Sequence, residues 1–383
     1  MLITNALVCH PDGQFRHGWI EVEGERVAAL GEGLPGAALG PSLDVAGMRV
    51  VPGFVDVHVH GSGGWSVNEP DPEHTLRLAE RLARHGVTAF LPTVAGEEPE
   101  RTLAALQAVH RAIGEYDGAG AEPIGIHLEG PFLNPARRGA FRLETLQHPD
   151  MAVLEQLFAA AGGQIRRVTL APELPGAHDL VRYCRSRGAV PIMGHSDASH
   201  EQAVAALEAG IGGVTHCFNA MRPIHHREPG NVVATLVQRI PAEFIMDGVH
   251  VHPAVVQMAH RCLGPAAMII ITDAVGPAGL PDGEYHLYGE RLFLRGGQIR
   301  NEDGSLAGSV LTMDRGVRNA VSFLGLPLEQ VLPMATTTPL WGSGAVERKG
   351  LLAPGRDADL LLLDEDLQVV RTLVRGRWVY QRQ

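Results

Sequence analysis

Cysteine is scarce. The four cysteines, Cys9, Cys184, Cys217 and Cys262, lie far apart and make no CxxC pair. That spacing suits reduced thiols in a cytoplasm better than a disulfide framework or a thiolate zinc site. Aromatic residues are only 5% of the 383 residues, too few for a base-stacking platform. Cations are outnumbered, with 32 Lys+Arg against 43 Asp+Glu and a net charge of −11. Binding to nucleic acid needs clustered cations, so an acidic chain is a poor candidate for it. No apolar run approaches the roughly 18 residues that a membrane span needs. The opening MLITNALVCHPDG has no basic n-region and no long apolar stretch, which argues against a secretory signal. These absences leave a cytoplasmic protein with neither nucleic acid nor membrane as partner.

What is present is enough for a large core: 45% hydrophobic and 20% charged residues. Short apolar, β-branched runs recur eight times, starting at Phe54, Val87, Pro123, Arg166, Ala189, Gly213, Glu243 and Ala267. Segments of helical period lie between most of them, as at 73–86, 99–114 and 199–210, the last opening on Ser199 as a cap. Apolar runs alternating with amphipathic helices predict a parallel sheet covered on both faces. Eight of them predict an α/β fold of the (β/α)8 TIM barrel type. An open doubly wound sheet is the alternative, but the GSGG after His60 is not the GxGxxG phosphate turn. Residues 1–50 and 341–383 read differently, as short strands broken by Gly and Pro. They predict one small β-sandwich domain built from both chain ends, beside a barrel over 51–340. The other reading is that each end merely pads the barrel.

Histidine is abundant, with 19 residues. His58 and His60 close the first run, and residues i and i+2 of a strand point the same way. The pair His250 and His252 is a second HxH, so the pattern alone is weak. Its position strengthens it, because similar residues end other runs: Glu129, His195, His216 and Asp273. In a barrel these strand ends form one rim, where catalytic groups collect. Each residue alone could be a satisfied core histidine or a paired acid. Together they form a buried charged set that needs a compensating cation. Imidazole and carboxylate without thiolate favour a divalent metal, zinc first, with iron, manganese, cobalt or nickel as alternatives. One ion could be held, or two bridged by Glu129. Such an ion readies a bound water near neutral pH. Asp273 then fits a proton shuttle from that water to a leaving amine.

The motifs HVHG, GIHLEGPFLNP, MGHSDAS, THCFNAM, REPG, DGVH, ITDAVGPAG and GSLAGSVLTMDRGVRN, with the tail GRDADLLLLD, resemble the amidohydrolase superfamily. Within it they are most similar to the family of N-acetylglucosamine-6-phosphate deacetylases. The resemblance runs from about residue 50 to the end. It implies a deformed TIM barrel with a small β-sandwich domain, a homodimer, and hydrolysis of the acetamide of a phosphorylated N-acetylhexosamine in amino-sugar catabolism or cell-wall recycling. It also implies Glu129, His195 and His216 as the main metal ligands, with His58 and His60 opening a second position. Asp273 matches the acid/base. Asn219, Ala220, Arg227, His250, the backbone around Ala140, and Leu306, Ala307 and Gly308 match substrate contacts. An arginine suits phosphate because its planar fork pairs two oxygens. Arg227 could instead be a plain surface cation. His225, His226 and His252 read as solvated or as lying behind the ligands.

One position departs from the pattern. Phe141 stands where the family usually has His or Gln near the substrate. Phe cannot donate a hydrogen bond, so either the metal acts unaided, Arg142 or His225 substitutes, or the substrate differs. Rival substrates are N-acetylgalactosamine-6-phosphate, an N-acyl amino acid, or a cyclic amide. The last usually goes with a carbamylated lysine on strand four. RRVTLAPE has none, and Lys349 lies far away near the tail. A non-catalytic scaffold should have lost some of these residues, yet every position is filled.

Overall fold

The computed structural model describes residues 1–36, 42–287 and 289–383. Residues 37–41, inside the expected small domain, lie outside the described ones. The eight apolar runs become eight strands: β1 (Phe54–Val59), β2 (Val87–Ala95), β3 (Ile126–Glu129), β4 (Ile165–Leu170), β5 (Val190–Met193), β6 (Gly213–Val214), β7 (Ala242–Ile245) and β8 (Met268–Ile271). They pair in chain order, each parallel to the next. Between β8 and β1 the Thr272 hydroxyl donates to Asp56 at 2.6 Å and the Asp273 amide to the His58 carbonyl at 2.8 Å. These bonds bring the two ends of the sheet together into a (β/α)8 barrel.

All residues of β1, β2, β3, β5, β7 and β8 are buried, because helices cover the outside and side chains fill the inside. The helices start where polar caps place them. Asp71 accepts from the Glu73 amide before Pro72–Ala83, Asp150 caps Met151–Ala160, and Ser199 with Gln202 makes a capping box on His200–Ala209. Inside the barrel Val55, Val57, Ala89, Leu91, Ile245, Ile269 and Ile271 form an apolar cluster. Buried polar residues share the interior: His127, Arg167, Thr169 and Glu243.

Both chain ends contribute to a separate eight-stranded sheet, with Leu2–Cys9, Phe15–Glu23 and Arg49–Pro52 beside Leu360–Leu363, Val369–Val374 and Arg377–Gln381. It has its own core of Ile3, Val8, Ile20, Val50, Leu360, Leu362 and Leu373. Ala345 still packs with the barrel interior, ahead of the sheet's C-terminal strands. The barrel stretch also holds an insertion. Gly283–Leu287, Glu290–Arg295 and Gln298–Asn301 form a three-stranded antiparallel sheet after β8. Its Leu287, Leu292 and Ile299 pack on Val275 and Ala307.

Candidate metal centre

The strand ends converge. Glu129 closes β3, and His195 and His216 follow β5 and β6. His195 Nε2 lies 3.3 Å and His216 Nε2 3.2 Å from Glu129 Oε1, and the two nitrogens are 3.1 Å apart. The second carboxylate oxygen faces the other way. Glu129 Oε2 is 3.2 Å from His60 Nε2 and 3.6 Å from His58 Nε2. Asp273 Oδ1 completes that side, 3.4 Å from His58 Nε2 and 3.3 Å from His60 Nε2. Glu129 therefore sits between two histidine pairs.

The backbone bends to achieve this. His195, His216 and Asp273 have φ of +48°, +26° and +49°, a left-handed conformation that costs a non-glycine residue on the order of 1 kcal/mol. Phe218 and Ala220 share it. Strain concentrated at strand ends turns side chains inward that a regular strand would carry past the rim. Gly194 allows the close approach, because a Cβ there would meet Thr169 and Thr215 at 2.6 and 2.7 Å.

Hydrogen bonds identify which nitrogens face the centre. His195 Nδ1 donates to the Arg137 carbonyl at 2.9 Å, and His58 Nδ1 donates to Glu243 at 3.0 Å. Both leave an Nε2 lone pair inward. His127 does not take part, although it lies near His58 and Glu243. Its Nδ1 donates to the Val57 carbonyl at 3.1 Å, so Nε2 accepts from the Thr169 hydroxyl at 2.8 Å. Both ring nitrogens are used, and burial, with the neighbouring His58 charge, pushes its pKa down to about 3.

Burial alone would raise the Glu129 carboxyl, but the His58 charge and bonds to His195 and His216 hold it well below the usual carboxylate range. Burial also acts on Asp273, and His58 and His60 outweigh it and bring it down to about 2. Asp56 goes the other way: burial lifts it to about 7 against the bonds from Thr272 and the His58 amide.

This donor set fits a divalent cation. Imidazole lone pairs facing each other at 3.1–3.2 Å repel unless a cation or proton lies between them. Four ligands about 2.0 Å from one ion stand about 3.3 Å from one another. Glu129, His195 and His216 match that spacing, as do His58, His60 and Asp273.

The cluster opens into a cavity of about 230 Å³. His60, Glu129, His195, His216 and Asp273 line it, while His58 lies beneath, fully buried. Ala140, Asn219, Ala220, His250, Leu306, Ala307 and Gly308 are on its wall. Asp247 orients His250 through a 2.6 Å contact to Nδ1. Arg227 is elsewhere: it is exposed on the loop after β6, its Nη1 2.8 Å from His226 Nε2. His225 and His226 are exposed there too, and the His252 ring accepts from the Ala254 amide as a helix cap. Phe141 sets its ring edge-on to His195, centroids 5.0 Å apart. Arg142 reaches the cavity, paired with Glu98 at 2.6 Å.

Several wall and supporting residues escape the sequence patterns above. Glu97 follows β2 by two positions, which is the strand-end signal again, displaced. Leu287, Leu292 and Asn301 belong to the inserted sheet. Its period-2 alternation and Gly296–Gly297 turn were the available clue. Glu243 and Asp56 are acids inside otherwise apolar strands, a signal in its own right.

The chain matches the amidohydrolase family over residues 49–379. It is 38% identical over 341 residues to the N-acetylglucosamine-6-phosphate deacetylase of Vibrio furnissii, covering 88% of this chain and 85% of that one. It is equally 38% identical, over 327 residues, to the N-acetylgalactosamine-6-phosphate deacetylase of Escherichia coli O157:H7, covering 85% and 86%. The crystal structure of N-acetyl-D-glucosamine-6-phosphate deacetylase from Mycobacterium smegmatis superposes with a TM-score of 0.92 at 35% identity, over 99% of this chain and 100% of that one. With a family match across most of its length and relatives this similar along nearly all of it, the chain belongs to the amidohydrolase family.

Proposed function

We propose that this chain hydrolyses the acetamide of N-acetylglucosamine-6-phosphate, giving glucosamine-6-phosphate and acetate. The observation that carries the reading is the meeting of Glu129, His195, His216 and Asp273 on one cavity wall, in a chain with deacetylase relatives over most of its length. We assign Glu129, His195 and His216 to one divalent ion, zinc foremost, and His58, His60 and Asp273 to a second position. A divalent ion, when bound, supplies a Lewis acid that acidifies water and polarises the amide carbonyl.

The chain's own groups do the rest. Asp273, ionised and on the cavity wall, accepts a proton from the attacking water at its carboxylate and passes it to the departing nitrogen. The C–N bond breaks, the water oxygen joins the acyl carbon, and the amine leaves neutral or protonated. His195 is held in place by its Nδ1 bond to Arg137. We assign the sugar phosphate to Asn219 and His250 on the cavity wall; Arg227 stands on an exposed loop off that wall. We take 51–340 as the catalytic unit, 1–50 with 341–383 as the small β unit, and a cytoplasmic homodimer as the working form. Buried, unpaired cysteines support the compartment.

N-acetylgalactosamine-6-phosphate is the second reading, favoured by the equal identity to a relative of that name. Acetate release from both phosphorylated sugars and from unphosphorylated N-acetylglucosamine, run with metal analysis, tests the proposal. Loss of the phosphate should lower kcat/KM at least tenfold, about 1.4 kcal/mol. Equal rates with and without phosphate would refute phosphate recognition by this cavity.

A further inference from the structure

Glu173 is a strand-end acid that the mechanism does not use. It follows β4 by three positions, in the run LAPE, on the rim where the ligands after β3, β5 and β6 collect. It does not line the cavity. Its carboxylate turns sideways instead, into the loops on either side. Oε1 accepts from the Asn134 side-chain amide at 2.8 Å and from the Asp197 backbone amide at 2.7 Å. Oε2 accepts from the Ser196 hydroxyl at 2.7 Å. One carboxylate therefore ties the loop after β3 to the loop after β5. Hydrogen bonds to a carboxylate are stronger than neutral ones, so three converging on one group fix the geometry of all their donors.

Both arms lead to the active site. On the Oε1 side, the Asn134 backbone amide donates to the His195 carbonyl at 3.0 Å, and the Arg137 carbonyl of the same turn takes the His195 Nδ1 hydrogen. One short segment thus holds His195 at its backbone and at its ring, and Asn134 joins that segment to Glu173. The left-handed φ of His195 is a strained conformation that persists only where the surroundings over-determine it. On the Oε2 side, Ser196 spreads the hold further. Its amide donates to the Ala220 carbonyl at 3.2 Å, and its carbonyl accepts from the Arg222 amide at 3.2 Å and from Asn231 Nδ2 at 2.9 Å. This short parallel pairing carries Asn219 and Ala220, which line the cavity where the sugar phosphate is assigned.

We propose that Glu173 is a positioning residue for both halves of the site: its Oε1 arm sets His195 for the metal, and its Oε2 arm sets Asn219 and Ala220 for the substrate. The second half rests on the deacetylase reading. The two arms are chemically separable. Ser196 Oγ already takes the Ala198 amide and Asn231 Nδ2, both at 3.2 Å, so its own hydrogen goes to Glu173. A glutamine with its carbonyl on the Oε1 side keeps Asn134 and Asp197 but presents an NH2 group to Ser196, donor against donor.

The test compares Glu173→Gln, Ser196→Ala and Glu173→Ala with the wild type. It reads metal per chain during stepwise chelation, the visible spectrum of the cobalt-loaded protein, and kcat and KM for N-acetylglucosamine-6-phosphate. Glu173→Gln and Ser196→Ala should raise KM about three- to tenfold, the worth of one hydrogen bond, with kcat, chelation curve and spectrum close to wild type. Glu173→Ala should raise KM likewise and also weaken metal retention about tenfold with a changed cobalt spectrum, the usual order for a group that orients a ligand histidine. A Glu173→Ala variant that melts earlier yet keeps wild-type retention, spectrum and KM would show a structural brace only and overturn the proposal. A Glu173→Gln variant that loses metal as Glu173→Ala does would overturn it too. Absence of acetate release by the wild type would overturn the deacetylase reading and with it the substrate arm; the chelation and cobalt readouts would still decide the metal arm.

Discussion

His58 gives its Nδ1 hydrogen to Glu243 Oε2 across the barrel interior at 3.0 Å. Arg167 holds the other Glu243 oxygen at 2.8 Å and the Pro339 carbonyl at 2.7 Å. Arg167 and Glu243 are almost fully buried, so the carboxylate has one geometry. Carboxylates that orient a ligand imidazole typically govern metal affinity by 10- to 100-fold. Glu243→Gln should therefore weaken metal retention on the His58–His60 side by about that factor. Stepwise chelator dialysis with metal counting reads it. A chelation curve superposable on wild type would remove Glu243 from this role.

Asp273→Asn keeps the shape of the side chain and removes its ability to take a proton. Turnover should drop about 10²- to 10⁴-fold, the usual worth of a positioned acid/base. The ion on Glu129, His195 and His216 should remain, since Asp273 is not among that trio. Near-normal acetate release by this variant would refute the shuttle.

The barrel was readable because its strands are buried on both faces, so composition alone marks them. The rim was readable because a charged residue directly after such a strand has few structural reasons to be there, as with Glu129 and Asp273. What escaped lies where periodicity carries no information about neighbours. Nothing in REPG tells that Arg227 stands on an exposed loop beside His226 rather than on the cavity wall. Nothing local to Glu97 tells that it stands on the cavity wall, paired with Arg101. The inserted sheet was hidden by its length: three short strands over 283–301 fit easily inside a stretch expected to hold a crossover.

Lys349 is the single lysine of the chain, and it is buried. Its ammonium lies 2.6 Å from Glu122 before β3, 2.6 Å from Asp359 and 3.1 Å from Asp357, just before strand Leu360–Leu363. It thus joins the barrel to the end-built sheet. Lys349→Met would leave those carboxylates buried without this cation, although Arg348 still reaches Glu122 and Asp357. Removing one partner of a buried ion pair typically destabilises by about 3–5 kcal/mol. Denaturant unfolding should show a loss of that order. An unchanged midpoint would mean that Arg348 compensates fully.

Thiol chemistry should single out Cys262. Burial pushes Cys9, Cys184 and Cys217 up to about 12, so they are almost wholly protonated at pH 8. Cys262 is only partly buried. Since the thiolate is the nucleophile, iodoacetamide at pH 8 should alkylate Cys262 first in the native protein and the other three only after unfolding. Peptide mass mapping reads this, and rapid native labelling of Cys217, on the loop that carries His216 and Asn219, would contradict the burial of that segment.

Asp314 supplies a pH dependence away from the metal centre. His85 Nδ1 lies 3.3 Å from one of its oxygens and Arg318 Nη1 3.1 Å from the other. Burial alone would raise the carboxyl, but the His85 bond and charge, with Thr312 and Arg318, bring it down to about 2. A carboxyl depressed in the folded state stabilises the fold above its unfolded pKa of about 3.9, and the contribution is lost as pH falls from there toward 2. The depression corresponds to about 2 kcal/mol. Asp314→Asn removes the titrating group, so the stability difference between wild type and variant should shrink across pH 4 to 2. Urea midpoints at intervals of half a pH unit give that difference directly. A gap that is flat through the acid range would show that Asp314 titrates alike in the folded and unfolded chain, and would dissolve its pairing with His85 as a source of stability.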